Sequence, residues 1–124
     1  MAGRVEAFVR PDWQPLPYEG CRNVEGRVIF HDEALLLALL RFGTDGTIHE
    51  HPGPNDTIVA CLDGRGFTSV REEVEPIEAG QRTVWPAGIP HRLWTEGSTM
   101  TTLMVERAKP PRDADATPPG AGSE

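Results

Sequence analysis

The sequence of 124 residues is long enough for one domain with one modest core and too short for two. Its formal net charge of −7 at pH 7 argues against binding to nucleic acid or to an anionic membrane surface. No apolar stretch approaches the ~20 residues of a membrane span, and the start of the chain lacks the apolar region of a signal peptide. We therefore expect a cytoplasmic protein whose two cysteines, Cys21 and Cys61, are packing residues without a disulfide framework.

Composition and turn residues divide the chain into three parts. Residues 1–20 contain three prolines and predict an N-terminal arm, with an arm or edge strand at Arg4–Val9. Residues 21–108 alternate apolar stretches with short Gly/Pro turns, which predicts one all-β, antiparallel domain of the barrel or sandwich type. Residues 109–124 contain no core-forming side chain and predict a disordered tail.

Seven short apolar stretches in the central part are candidates for strands. Two of them, Thr57–Leu62 and Phe67–Val70, flank the sequence Asp63–Gly66, whose glycines predict a hairpin turn. The charged stretch Arg71–Pro76 predicts a solvated segment. The leucine-rich stretch Ala34–Phe42 fits either a buried helix or a buried strand, because periodicity alone does not separate the two. The other predicted strands are Arg27–Phe30, Thr83–Trp85, His91–Trp94 and Met100–Glu106.

Three histidines carry the strongest functional signal in the sequence. His49 and His51 follow Gly43 as a His-x-His pair, and His91 ends a segment that begins at Gly80 and contains a Pro-Ala-Gly turn. On an extended segment, both side chains of a His-x-His pair point to the same face. Two adjacent imidazoles can chelate one transition metal, and a third from a neighbouring strand would complete a facial set. The pattern therefore predicts a metal site formed by His49, His51 and His91.

The two histidine segments resemble the motifs of the cupin family. Its first motif, Gly-x5-His-x-His-x3–4-Glu-x6-Gly, is matched by Gly43, His49, His51 and Gly64. Its second motif, Gly-x5-Pro-x-Gly-x2-His-x3-Asn, is matched by Gly80, Pro86, Gly88 and His91. The resemblance implies an all-β, antiparallel cupin-type barrel (a jelly roll or double-stranded β-helix) with a metal in its mouth. It also implies that Ala34–Phe42 is a strand, buried on both faces.

The chain departs from the cupin motifs at two positions. Thr57 stands seven residues before Gly64, where the family has a glutamate, and Thr95 replaces the closing asparagine. Asp56 is one residue out of register, so it faces away from the metal if it belongs to the strand and could swing in if it lies in the turn. Thr57 and Asp56 are thus the candidates for a catalytic or substrate-orienting role. Without a carboxylate, the ion keeps its full double positive charge, which favours anionic ligands and Lewis acidity.

We predict a metal-dependent enzyme that acts on a small oxygen-rich molecule. Fe(II) held by three imidazoles keeps open positions for substrate and dioxygen, so dioxygenase (oxidoreductase) chemistry is favoured, as the resemblance permits. One alternative is a non-redox isomerase, lyase or cyclase that uses Zn, Ni or Mn, with Asp56 or Glu50 as the base. The other is a cupin that binds a small ligand without turnover. Glu106, near the end of the last strand, is expected at the surface.

The apolar stretch also bears on assembly. Leu35–Leu40 offers apolar side chains to both faces of a strand, and only one face can point into a barrel. We therefore expect a homodimer that binds a small-molecule substrate or ligand, and neither nucleic acid nor a membrane.

Overall fold

The computed structural model describes residues 3–107, which form nine β-strands and no helix, so the predicted all-β class is confirmed. It follows that none of the described residues forms a helix able to cross a membrane. The strands are β1 (Gln14–Pro15), β2 (Arg22–His31), β3 (Leu35–Thr47), β4 (His51–Pro52), β5 (Thr57–Val70), β6 (Glu73–Glu78), β7 (Arg82–Trp85), β8 (Pro90–Trp94) and β9 (Met100–Arg107).

The strands form one antiparallel sheet that closes into a barrel. Neighbouring strands follow the order β1-β2-β3-β9-β5-β8-β4, and β6 and β7 pair with β5 outside this path. The pairing of Thr47 in β3 with Trp94 in β8 closes the ring β3-β9-β5-β8. Closure pairs backbone groups that an open sheet edge would leave exposed. The most deeply buried side chains of the core are Val59, Trp85, Leu93, Met100 and Thr102.

The leucine-rich stretch forms most of β3, so the strand implied by the cupin resemblance is confirmed. Every second residue from Leu36 to Leu40 lines an interior cavity. Leu37, on the outer face, is only half-buried, so the stretch is not buried on both faces in the single chain. The outer face instead carries an apolar row across β3, β9, β5 and β7, formed by Leu37, Val105, Ile58 and Val84.

The predicted hairpin turn at Asp63–Gly66 is wrong. Thr57–Val70 is one continuous strand whose first part pairs with β7 and β9 and whose second part pairs with β6 and β8. A β-bulge between Cys61 and Asp63, followed by a positive φ of 77° at Gly64, redirects the strand between these partners. A Cβ at Gly64 would lie 2.0 Å from the carbonyl oxygen of Thr99. The glycine therefore permits a close backbone approach within a strand instead of a chain reversal.

The tight turn lies later, between β5 and β6. Arg71 and Glu72 have positive φ values of 52° and 72°, the pattern of a type I′ hairpin turn. The segment predicted as solvated therefore contains the start of a strand, because Glu73–Glu78 pairs with β5, although its side chains are mostly exposed. Neither turn residue is the glycine or asparagine that usually marks this conformation, which is why the sequence did not reveal it.

The first described residues, 3–13, form no regular structure before the short strand β1. No strand is present at Arg4–Val9, and the side chains of Val5, Phe8 and Val9 are exposed. Farther along, Leu16 lines the interior cavity, so this part of the arm contributes to the cavity wall. The predicted tail, 109–124, lies outside the described residues.

Candidate metal centre

Three separate segments bring the histidines to the interior cavity. His49 follows two residues after the end of β3, His51 lies in β4, and His91 lies in β8. His51 and His91 are direct partners in the β4–β8 pairing, so their side chains share one face. The ring centroids of His49 and His51 are 4.4 Å apart, and those of His51 and His91 are 4.6 Å apart. The structure thus groups the three residues that the sequence singled out.

Backbone carbonyl groups fix the hydrogen position on two of these rings. Nδ1 of His51 lies 3.0 Å from the carbonyl oxygen of His49, and Nδ1 of His91 lies 3.1 Å from that of Ile89. A carbonyl oxygen only accepts hydrogen bonds, so Nδ1 must carry the hydrogen in both rings. In the neutral ring Nε2 then keeps a lone pair, and this is the atom that can bind a metal.

Burial favours the neutral form of His91 and of His49. Burial first, and then the neighbouring His51 ring, lower the pKa of His91 from 6.5 to about 4. The same two causes, in the same order, lower the pKa of His49. A ring that is already neutral near pH 7 has no proton to lose before it binds a cation.

The rings as they stand do not form a complete metal cluster. Within residues 3–107, no group of three or more His, Cys, Asp or Glu is arranged to hold an ion. The rings of His49 and His51 are stacked within 20° of parallel, which points their nitrogens side by side instead of toward one centre. The donor chemistry nevertheless fits a divalent transition metal, because two rings present free Nε2 atoms and the third lies beside them.

Cys21 is a contact of this site that the sequence did not indicate. Its Sγ lies 3.2 Å from Nδ1 of His49 and accepts a hydrogen bond of 3.4 Å from the His49 backbone N–H. The thiol therefore contacts Nδ1 of His49, the same ring nitrogen that bonds to a backbone carbonyl group in His51 and His91. Cys61 is instead buried in the core, where burial raises the pKa of its thiol.

Aromatic side chains pack against the histidines. Trp85 stacks on His91 with ring centroids 4.0 Å apart and an interplanar angle of 10°. The indole N–H of Trp85 donates a 3.0 Å hydrogen bond to Oγ1 of Thr68, which fixes the indole in place. The ring of Tyr18 lies 5.7 Å from that of His49. These contacts shield the imidazoles from water, which agrees with the lowered pKa of His91.

The structure places Thr57 and Asp56 differently. Thr57 is buried, lines the cavity and donates a 3.3 Å hydrogen bond to the carbonyl oxygen of Asn55. Asp56 is exposed, and its Oδ1 accepts a 2.8 Å hydrogen bond from the backbone N–H of Ala87. Asp56 is not part of the cavity wall. Asp56 lies just before β5, and its carboxylate holds the turn after β7 and points away from the histidines.

Thr95, at the second departure from the motif, supports the segment that leads to His49. Its hydroxyl donates a 2.7 Å hydrogen bond to the carbonyl oxygen of Gly43 and accepts a 2.9 Å bond from the backbone N–H of Gly46. The residue therefore ties the end of the second motif to the start of the first. This is a structural role for Thr95, and it leaves the chemistry of the site to other residues.

The histidines open on a mainly apolar cavity of about 620 Å³. This volume lies within the ordinary range of small-molecule sites. The carboxylates in its wall are Asp12, on the N-terminal arm, and Glu106, near the end of β9. Glu106, expected at the surface, is half-buried and lines the cavity, whereas Glu50 is not part of the wall. The alternation along β9, in which Thr102 and Met104 also face inward, was the signal that sequence reasoning overlooked.

Comparison with known proteins identifies the family. The model of the Cupin_2 family, described as a cupin domain, matches residues 37–106. This segment includes the three histidines and most of the barrel. A search of curated proteins finds no match.

Solved structures agree with this fold. The polyketide cyclase RemF from Streptomyces resistomycificus matches with a TM-score of 0.73 and 19% identity, over 90% of this chain and 82% of RemF. KdgF from a Halomonas species matches with a TM-score of 0.69 and 14% identity, over 83% of this chain and 91% of KdgF. A structure described as DMSP lyases RdDddP and RnDddQII matches with a TM-score of 0.69 and 18% identity, over 78% of this chain and 56% of the matched chain. At these identities the likeness concerns the fold alone, and together with the matched motif segment it leads to one conclusion: this chain belongs to the Cupin_2 family.

Proposed function

We propose that this protein is a metal-dependent enzyme that acts on a small molecule with a mainly apolar body and an oxygen atom able to bind metal. The observation that carries the proposal is the position of three imidazoles in the wall of a mainly apolar cavity of about 620 Å³. A divalent ion held by His49, His51 and His91 would supply Lewis acidity toward a carbonyl or enolate oxygen. The apolar wall would bind the rest of the substrate and exclude water.

A non-redox reaction, such as cyclisation, isomerisation or elimination, has the most support. The cavity wall contains the carboxylate of Glu106, and a carboxylate can accept and return a proton. The fold also serves a polyketide cyclase and DMSP lyases among its structural neighbours, which is a precedent at the level of fold. Zn, Ni or Mn would suit this chemistry, since none of them needs to change its oxidation state.

Dioxygenase chemistry at Fe(II) is the second candidate, and the donor set favours it. Thr57 occupies the position of the family glutamate, and Asp56 bonds to the backbone of Ala87. Three imidazoles without an added carboxylate would leave positions open for substrate and dioxygen together.

Metal content tests the site itself. We expect protein purified without chelator to carry a divalent transition metal and the His49→Ala/His51→Ala double variant to lose it. His31→Ala is the matched control, because His31 is exposed at the end of β2 and absent from the cavity wall. Equal metal in the double variant and in the wild type, by elemental analysis, would remove the basis of the proposal.

Oxygen dependence then separates the reaction classes. The protein, loaded with Zn or with Fe(II), would be incubated with aryl ketones and aryl 1,3-diketones, with and without dioxygen. Conversion without oxygen uptake supports the non-redox enzyme, and conversion coupled to oxygen uptake supports the dioxygenase. Metal binding without alteration of any probe would instead favour a ligand-binding cupin without turnover.

We also propose that the enzyme works in the cytoplasm as a homodimer, without a nucleic-acid or membrane partner. The support for the dimer is the apolar row on the outer face of the barrel, in which Leu37 is half-buried and Val84 is exposed. The division into arm, barrel and tail stays a prediction.

A further inference from the structure

We infer that Glu106 is a catalytic residue: the proton acceptor that removes a hydrogen from the carbon next to a carbonyl group of the substrate. The inference rests on the proposed function and extends it, because it names the base and with it the substrate class. That class is an apolar carbonyl compound with a C–H bond next to the carbonyl. The base is neither Asp56 nor Glu50, the two candidates taken from the sequence.

Strand register places Glu106 on the inner face of the barrel. Along β9, the inward positions are Thr102, which is fully buried, then Met104, then Glu106. Glu106 pairs with Thr57 of β5 on one side and with Leu36 of β3 on the other, and both partners line the same cavity. Its side chain therefore shares with the three histidines the space in which the substrate would lie.

The surroundings of Glu106 leave one of its oxygens available. Asn55 Nδ2 donates a 3.0 Å hydrogen bond to Oε2, which orients the carboxylate. Among the described residues, no hydrogen bond engages Oε1, and no Arg or Lys forms an ion pair with the side chain. An oriented carboxylate with one free oxygen, in a mainly apolar wall, has the arrangement that a general base needs.

The other carboxylates are worse placed. Asp12 also lines the cavity, but its side chain is 83% exposed and its nearest cation is Arg27, at 4.0 Å. Asp56 is bonded to the backbone of Ala87, and Glu50 lies outside the cavity wall. Glu106 is the half-buried carboxylate of the cavity wall, and no hydrogen bond among the described residues occupies its Oε1. It is therefore the carboxylate best placed for proton transfer.

The step balances without an oxidant or reductant. Oε1 of Glu106 takes the hydrogen as a proton, the electron pair of the C–H bond moves into the new carbon–carbon double bond, and the carbonyl oxygen becomes an enolate oxygen. Glu106, now a carboxylic acid, returns the proton to carbon in an isomerisation. In a cyclisation it gives the proton to the alkoxide formed when the enolate carbon attacks a second carbonyl group of the same molecule.

Hydrogen exchange with solvent measures this step directly. Zn-loaded protein in D₂O at neutral pH would be incubated with three aryl ketones, including α-tetralone, and deuterium uptake beside the carbonyl would be followed by NMR. We expect the wild type to catalyse the exchange and Glu106→Gln to slow it by roughly 10²–10⁴-fold, the usual contribution of a general base. Metal content and ligand affinity should be unchanged in Glu106→Gln, and Glu106→Asp should retain part of the rate.

Two control variants make the result decisive. Asp12→Asn alters the other carboxylate of the cavity wall, and Glu75→Gln alters an exposed carboxylate of β6. Glu75→Gln should exchange at the wild-type rate, and Asp12→Asn should lose far less of the rate than Glu106→Gln. Exchange by Glu106→Gln at the wild-type rate, or loss of exchange in Asp12→Asn instead, would overturn the role of Glu106 and leave the proposed function standing. Absence of exchange in the wild type with all three ketones would count against the proposed non-redox function itself, and the role of Glu106 would fall with it.

Discussion

The buried His91 should make the metal-free protein sensitive to acid. Its side chain is 3% exposed, and burial followed by the nearby His51 ring lowers its pKa from 6.5 to about 4. In the unfolded chain the pKa returns to about 6.5. Between these two values the unfolded state binds a proton that the folded state does not, so the free energy of unfolding must fall as the pH falls from 6.5 to 4. Below pH 4 both states are protonated and the loss is complete.

The size of the effect follows from the same two pKa values. The full difference corresponds to about 3 kcal/mol, which is a large part of the 5–15 kcal/mol that typically stabilise a domain. Acidic residues also become protonated in this range, so the wild type alone would not isolate the histidine. His91→Asn removes the titration and keeps a side-chain N–H that can donate to the carbonyl oxygen of Ile89, as Nδ1 does now.

The assay is guanidinium unfolding of both proteins from pH 7.5 to pH 4, followed by tryptophan fluorescence in the presence of a chelator. His49 and His51 are present in both proteins, so their contributions largely cancel. The wild type should lose about 3 kcal/mol relative to His91→Asn between pH 6.5 and pH 4. Parallel stability curves for the two proteins would show that His91 is not held in its neutral form by the fold.

The remaining predictions concern the missing carboxylate, the dimer and the bulge. Thr57→Ala should leave metal content nearly intact and lower turnover, whereas Thr57→Glu should tighten metal binding. Both affinities can be measured by titration with Zn. Loss of the metal in Thr57→Ala would contradict the three-histidine site. Leu37→Glu on the outer face should convert a dimer into a monomer in light scattering, whereas Val74→Glu, at an exposed position on β6, should not. Gly64→Ala should cost more than about 2 kcal/mol in thermal unfolding, because its Cβ would meet a carbonyl oxygen at 2.0 Å. Gly80 also has a positive φ, but a Cβ added there would meet no atom within 4 Å. If Gly80→Ala destabilised the protein as much as Gly64→Ala, the clash with Thr99 would not be the cause.

The fold class and the grouping of three histidines at one cavity could be predicted from the sequence because both depend on local spacing. The His-x-His pair, the Pro-Ala-Gly turn before His91 and the alternation of short apolar stretches are all encoded within a few residues of one another. The same spacing identified Thr57 as the residue in place of the family glutamate, but it left the direction of Asp56 open. These inferences needed only the period of a strand, which is the same in any sheet.

Several features depended on contacts between distant strands, and only the tertiary structure decided them. Cys21 meets His49 across 28 residues, and Glu106 reaches the cavity because β9 pairs with both β3 and β5. The contact of Cys21 leaves no mark in the local sequence. The alternation along β9 indicates which face Glu106 occupies, but not whether that end of the strand lies at the surface or beside a cavity. The path of β5 also depends on contacts with distant strands. Gly64 marked a break in the strand, but whether that break is a turn or a bulge was set by the close approach of Thr99 from another part of the barrel.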